Sequence, residues 1–152
     1  MPVVEKPKTV LLKGSPLRKE AEAGAPITPG MLLKFGANDT VVPHDVAGGN
    51  ARKAFALEWD PAKEIDDPYA VGDQVMYAIF RPGEEVYALL AAGENVSKGD
   101  ALESAGDGSL RKHTPPTVGG EAVNIAAIVG FALETVNNSG GTGPVRIRVE
   151  VA

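Results

Sequence analysis

The chain holds two imidazoles, His44 and His113, and no cysteine. Acid–base catalysis or metal ligation by histidine needs nearby carboxylates and a second shell that fixes the ring. Asp45 follows His44, but adjacent residues on a strand point to opposite faces. Both histidines therefore read as surface loop residues. Glu58, Asp60, Glu64, Asp66, Asp67 and Asp73 form an acidic stretch. Hard cations want several converging oxygens. The spacing does not follow the EF-hand order, and Pro61 and Pro68 interrupt it. It reads as a solvated loop, or as an acidic surface for a basic arm. The absence of cysteine excludes disulfides, thiolate chemistry and cysteine zinc sites. Gly48-Gly49 and Gly140-Gly141-Thr142-Gly143 lack the Lys-Ser/Thr of a phosphate loop. Ser15, Ser97, Ser104, Ser109 and Ser139 have no nucleophile-elbow context. No catalytic, cofactor-binding or metal-ligating residue is assigned. The expectation is a non-enzymatic protein with no cofactor.

The elements that would carry such residues are strands. The 152 residues suit one domain or two fused halves. At 43% hydrophobic and 23% charged, the chain can build a core, and with 5% aromatics that core must be mostly Val, Leu, Ile and Ala. The 18 glycines and 12 prolines imply many turns and few long helices. No apolar run approaches the roughly 20 residues of a membrane span. The first residues, Met-Pro-Val-Val-Glu-Lys, lack a signal-peptide core, so a cytosolic origin is the default.

Net charge is −5, unevenly placed: residues 1–26 sum to +2 and the remainder to −7. An acidic body argues against nucleic acid as the partner. Residues 1–26, with Pro2, Pro7, Pro16 and Pro26, cannot form one long helix. They read as an extended N-terminal arm. Thr9, Val10, Leu11 and Leu12 form a strand-like run in it, flanked by Lys6, Lys8 and Lys13. That run could add to a sheet of another chain, or be the first strand of the domain's own sheet. Ser15 to Ala25 reads as a helical turn or loop.

Beyond the arm, strands are expected near Gly30–Phe35, Thr40–Val42, Lys53–Trp59, Gln74–Phe80 and Glu84–Ala91, with one bent strand over Ile125–Val136. Val145, Ile147, Val149 and Val151 alternate with Arg146, Arg148 and Glu150, the clearest period of two in the chain. An internal repeat relates residues about 27–80 to 96–151. Gly30, Leu33, the turn at Asn38-Asp39, Val41 and His44 match Gly99, Leu102, Asp107-Gly108, Leu110 and His113 at a constant offset of 69. Phe55-Ala56-Leu57-Glu58 recurs as Phe131-Ala132-Leu133-Glu134 at an offset of 76. The fold expected is mainly β: a small β-barrel or β-sandwich-like domain of two similar halves, residues 27–152, behind the arm at 1–26.

Gly93-x-x-Val96-x-x-Gly99-Asp100-x-Leu102 resembles a turn of biotinyl and lipoyl carrier domains. No lysine sits in the hairpin such carriers modify; Lys112 lies in Arg111-Lys112-His113. The motif reads as local β architecture. Together with Ile27-Thr28-Pro29-Gly30-Met31-Leu32, Val71-Gly72-Asp73-Gln74-Val75, Asp107-Gly108-Ser109-Leu110 and Ile128–Glu134, it resembles phage head decoration (capsid cement) proteins. The resemblance spans about residues 27–151. It implies a β-rich homotrimer made in the host cytoplasm and located in the virion, on the outer surface of the head. There it would bind the major capsid protein at three-fold and quasi-three-fold points and stabilise the shell. The arm, at Thr9–Leu12, would pair with the capsid protein. No nucleic acid or membrane partner is implied. Two other readings stay open: a carrier-type or small-ligand-binding β domain, and another virion part such as a tail-associated protein.

Overall fold

The computed structural model describes residues 6–59, 64–114 and 125–152. Thirteen short strands follow one another: β1 (Leu11–Lys13), β2 (Leu17–Ala23), β3 (Leu33–Phe35), β4 (Thr40–Pro43), β5 (Ala54–Ala56), β6 (Gln74–Ile79), β7 (Glu85–Leu90), β8 (Asn95–Val96), β9 (Ala101–Ser104), β10 (Leu110–Lys112), β11 (Ile128–Ala132), β12 (Val136–Asn137) and β13 (Val145–Val151). One 3-10 turn, Ile125–Ala127, precedes β11. The chain is mainly β and barrel-forming, as its turn density and alternation imply.

Ten of these strands close two five-stranded barrels. In the first, the order β3-β4-β2-β6-β5 is completed by the antiparallel bridge Leu32↔Phe55. In the second, β7-β10-β9-β11-β13 is completed by the pairing of β13 with β7. Each barrel has one parallel pair, β2–β4 or β7–β10, and is otherwise antiparallel. Closure satisfies strand edges that an open sheet would leave unpaired. The two barrels share one connectivity, strand for strand. Gly24 N–H donates to Val41 O at 2.9 Å, and Ala91 N–H donates to Leu110 O at 2.9 Å; these are the same bond in the two barrels.

The barrels share a wall. Along β5 and its continuation, Ala54 and Ala56 fill the first barrel, while Phe55 and Leu57 face the second. Along β6, Val75 and Tyr77 point inward, while Ala78 and Phe80 point to the neighbour. A period of two thus buries both faces. Phe55 and Phe80 meet edge to face, with ring centroids 5.7 Å apart. The second core adds Val86, Leu90, Leu102, Leu110, Val129, Ile147 and Val149.

A loop of the second barrel locks into this wall. Leu32 N–H donates to Gly108 O at 2.8 Å, and Gly108 N–H donates to His44 O at 3.1 Å. Gly108 has φ +87, and a Cβ there would lie 3.0 Å from Met31 and 3.1 Å from Pro43. Only glycine fits both the backbone and the gap.

Three expectations change. Ile125–Val136 is not one bent strand: β11 ends at Ala132, and the chain turns before β12. Lys53–Trp59 is strand only over Ala54–Ala56, and Trp59, beyond its end, is 47% exposed. Residues 17–26 are not part of an arm, since Leu17–Ala23 is the first strand of the first barrel. Its polar sequence misleads because most of the strand faces water, and only the small Ala21 and Ala23 join the core.

Phe55→Ala opens a cavity between the barrels. It is expected to cost about 3–5 kcal/mol and to lower the stability of both barrels in one transition by urea unfolding. Tyr69 is fully buried and donates to Leu57 O at 2.6 Å. Burial pushes its phenol up from 10.0 to about 12. A raised pKa contributes stability that is complete below the unfolded value and lost as pH climbs through the folded one. Tyr69→Phe should make the loss of stability between about pH 10 and 12 shallower, at a cost near 1 kcal/mol at neutral pH; urea titrations across that range measure both.

Candidate attachment surface

Lys6, Lys8, Thr9 and Lys13 are exposed, Leu11 and Leu12 half-buried, and Val10 fully buried. Residues 1–5 lie outside the described residues. Val10 packs in the second barrel's core. Its N–H donates to Glu58 Oε2 at 2.9 Å, and its carbonyl accepts Tyr87 N–H at 2.7 Å. Leu11 pairs with Val86 and Lys13 with Glu85, antiparallel. Lys13 Nζ lies 3.9 Å from the Glu85 carboxylate. Glu84 ties down the next corner, accepting Ser15 N–H and Arg81 N–H, each at 2.6 Å. The strand of this segment therefore pairs within its own chain. Val10 turns inward while its neighbours Lys8 and Thr9 stay in water.

Lys6 and Pro7 border an open groove of about 720 Å³ on the second barrel. Its wall includes Tyr87, Leu89, Glu134, Arg146 and Arg148. Burial raises the Tyr87 phenol above its ordinary value, and the Glu134 carboxylate adds to that. Arg148 faces Glu134 at 4.0 Å. Arg146 is largely buried and clamps the chain: Nη1 donates to Pro29 O at 2.5 Å, and Nη2 donates to Ile65 O at 2.7 Å and Asp66 Oδ1 at 3.1 Å. Sequence reasoning placed Arg146 merely on the polar face of its strand. Nothing in the local pattern separates it from Arg148.

A second, smaller groove of about 340 Å³ lies on the first barrel, lined by Leu33, Phe35, Val46 and Arg52 among others. The Arg52 guanidinium lies 3.7 Å from the Phe35 ring centroid, a cation–π stack on an aromatic that is 66% exposed.

The histidines are not surface residues, and they are not brought together. His44 is buried; Nδ1 lies 2.7 Å from Ser104 Oγ and Nε2 2.9 Å from Asn50 O. A carbonyl only accepts, so Nε2 carries a proton. His44 thus joins the two barrels. His113 Nδ1 lies 2.6 Å from Glu103 Oε1, while Arg111 holds Glu103 Oε2 through Nε and Nη2, both at 2.7 Å. Glu103 is buried, so this ion cluster compensates it.

Glu58, Asp66, Asp67 and Asp73 have backbone partners or counter-ions. Asp67 accepts Glu64 N–H at 3.0 Å, Asp73 accepts Ala70 N–H at 2.9 Å, and Asp66 faces Arg146. Asp60 lies outside the described residues. Among those described, no three His, Cys, Asp or Glu residues are placed to hold a metal ion. Asp100, in the carrier-like turn, accepts Ser97 N–H at 2.9 Å, and that bond holds its carboxyl below the usual value. Lys112 lies 3.4 Å from Asp100.

No protein-family model matches the chain, and no curated protein matches it. Among solved structures it is similar to the N base of head fiber gp8.5 of bacteriophage phi29. The TM-score is 0.53 at 15% identity, covering 90% of this chain and 93% of that one. At that identity the likeness shows a shared fold.

Val10→Ala removes two methyl groups from the second core. A loss of roughly 1–3 kcal/mol is expected, read by urea unfolding, whereas Lys8→Ala on the water side should change stability by under about 0.5 kcal/mol. Equal losses from both would contradict the described inward turn of Val10.

Proposed function

We propose that the chain is a structural protein of a phage particle that sits on the outside of the head, binds the major capsid protein and stabilises the shell. One observation carries this reading: the likeness to a phage head fiber base extends over nearly the whole of both chains. The motifs that resemble decoration proteins point the same way. The described geometry is compatible with it, since the polar groups traced above are engaged in holding the fold together. What remains outside is shape and charge.

Attachment falls to the basic N-terminal surface rather than to a free strand. β1 is already paired with β7, so the backbone of Leu11–Lys13 is committed on that edge. Lys6 and Lys8 stay exposed, and Lys6 borders the large groove. On an acidic body they present a basic patch, suited to an acidic patch on the shell. Repeated contacts across many copies raise effective concentration, which can add roughly 10²–10⁴-fold to weak single contacts.

The test is to mix the protein with undecorated heads and image them. Extra density on the outer surface, at three-fold and quasi-three-fold points, is expected. The double variant Lys6→Glu, Lys8→Glu should remain folded by circular dichroism and occupy fewer sites at 0.15 M salt. Heads that stay bare with the unaltered protein would overturn the reading; full occupancy by the variant would overturn only the basic contact.

A further inference from the structure

The two barrels, alike in connectivity, differ at one edge. In the second, β10 covers only the C-terminal end of β7, at Leu110↔Leu90, and β1 covers the other end. In the first, β4 likewise covers only the C-terminal end of β2, at Glu22↔Thr40 and Ala23↔Val41. Among the described residues, nothing pairs with the remainder of that edge. The bond shared by Gly24 and Ala91 sets the equivalence. Counting back from it, Arg18 stands where Glu85 stands, and Glu20 where Tyr87 stands. Glu85 and Tyr87 are the residues that β1 engages: Lys13 lies opposite Glu85, and Val10 O accepts Tyr87 N–H.

The backbone groups of Arg18 and Glu20 point to this open edge. Ala23 N–H donates across to Asp73 O on the β6 side, and Gly24 N–H donates to Val41 O on the β4 side. Alternation carries the even residues to the β4 side. Two N–H and two C=O groups are thus presented outward. Arg18, Lys19 and Glu20 are all exposed, and Leu17 is 62% exposed. Such an edge is a template for another strand.

The charges specify which strand. An antiparallel partner must place a base opposite Glu20, then one residue, then an acid opposite Arg18. Read N to C, that is basic–any–acidic, and β2 itself reads Arg18-Lys19-Glu20. We propose that β2 pairs antiparallel with β2 of a second copy about a two-fold axis at Lys19. Arg18 then exchanges both backbone bonds with Glu20 of the second copy, and Glu20 with Arg18 of the second copy. The same residues form two cross-strand ion pairs on the outer face, where opposite charges favour a register. Leu17 comes to lie opposite Ala21 of the second copy. Glu20 keeps an oxygen for this role, since its other neighbour is the Gln74 amide at 3.2 Å from Oε2. The two Lys19 side chains face each other on the opposite side and weaken the contact.

Sedimentation equilibrium on the full chain tests this. A reversible dimer of the free protein is expected, weakened by salt, in place of the homotrimer that the family resemblance implies. Arg18→Glu should weaken it at least 10-fold, and Arg18→Glu with Glu20→Arg should restore it to within a few-fold. Lys19→Thr should tighten it several-fold. Amide exchange at Arg18 and Glu20 should slow as concentration rises. A chain that stays monomeric at hundreds of micromolar overturns the proposal, and so does an oligomer of any order that Arg18→Glu leaves unchanged.

Discussion

The structure depends on the burial of β5 and β6 on both faces. These strands are the wall of one barrel and a covering for the next. Two-sided burial is what makes Phe55, Leu57, Ala78 and Phe80 necessary on one face while Ala54, Ala56, Val75 and Tyr77 fill the other. A five-stranded barrel has little interior, and small domains bury too little surface to be robust alone. Apposition lets two such barrels share one apolar layer. The sizes on the wall follow from this. Along β5 the alanines turn into the first barrel, and Phe55 with Leu57 fills the seam.

A shared wall fixes distance, but apolar contact is non-directional and would tolerate sliding. Orientation comes from polar links across the seam. Gly108 exchanges bonds with the Leu32 and His44 backbone, His44 reaches Ser104, and Arg146 reaches Pro29. Each involves a buried or largely buried group, so a shift of register would leave it unsatisfied at a cost of about 1–3 kcal/mol apiece. The seam is therefore apolar in its energy and polar in its specificity. β1 adds a third tie. Among the described residues it is the one strand before the first barrel, and it pairs with the second, so the chain clasps its own two halves.

Much of this was legible in the sequence because turns and alternation are local. Val145–Val151 was readable residue by residue, and the offset of 69 between Gly30 and Gly99 marked equivalent turns before the strands β3 and β9. What was not legible is non-local. The barrel closure at Leu32↔Phe55 leaves no local trace. Neither does the pairing of β1 with β7, about seventy residues away. β2 misled for a physical reason. A strand with small inward residues and charges on its water side has almost no hydrophobic signal, so Leu17–Ala23 resembled a loop. The histidines misled likewise, because their burial depends on Ser104, Asn50 and Glu103, which only the folded chain brings near.

The acidic residues show why a chain rich in functional side chains can lack a legible site. Short strands joined by tight turns leave many backbone N–H groups without a ladder partner, and each must be satisfied. Carboxylates near such turns are strong acceptors for them. Glu58, Asp67, Asp73, Glu84 and Asp100 all accept backbone N–H groups. A carboxylate held this way is oriented toward the chain rather than toward a ligand. The acidity of the body is thus, in part, a consequence of building barrels from many turns. The two barrels also differ at an edge: among the described residues, β7 has its second covering strand and β2 does not.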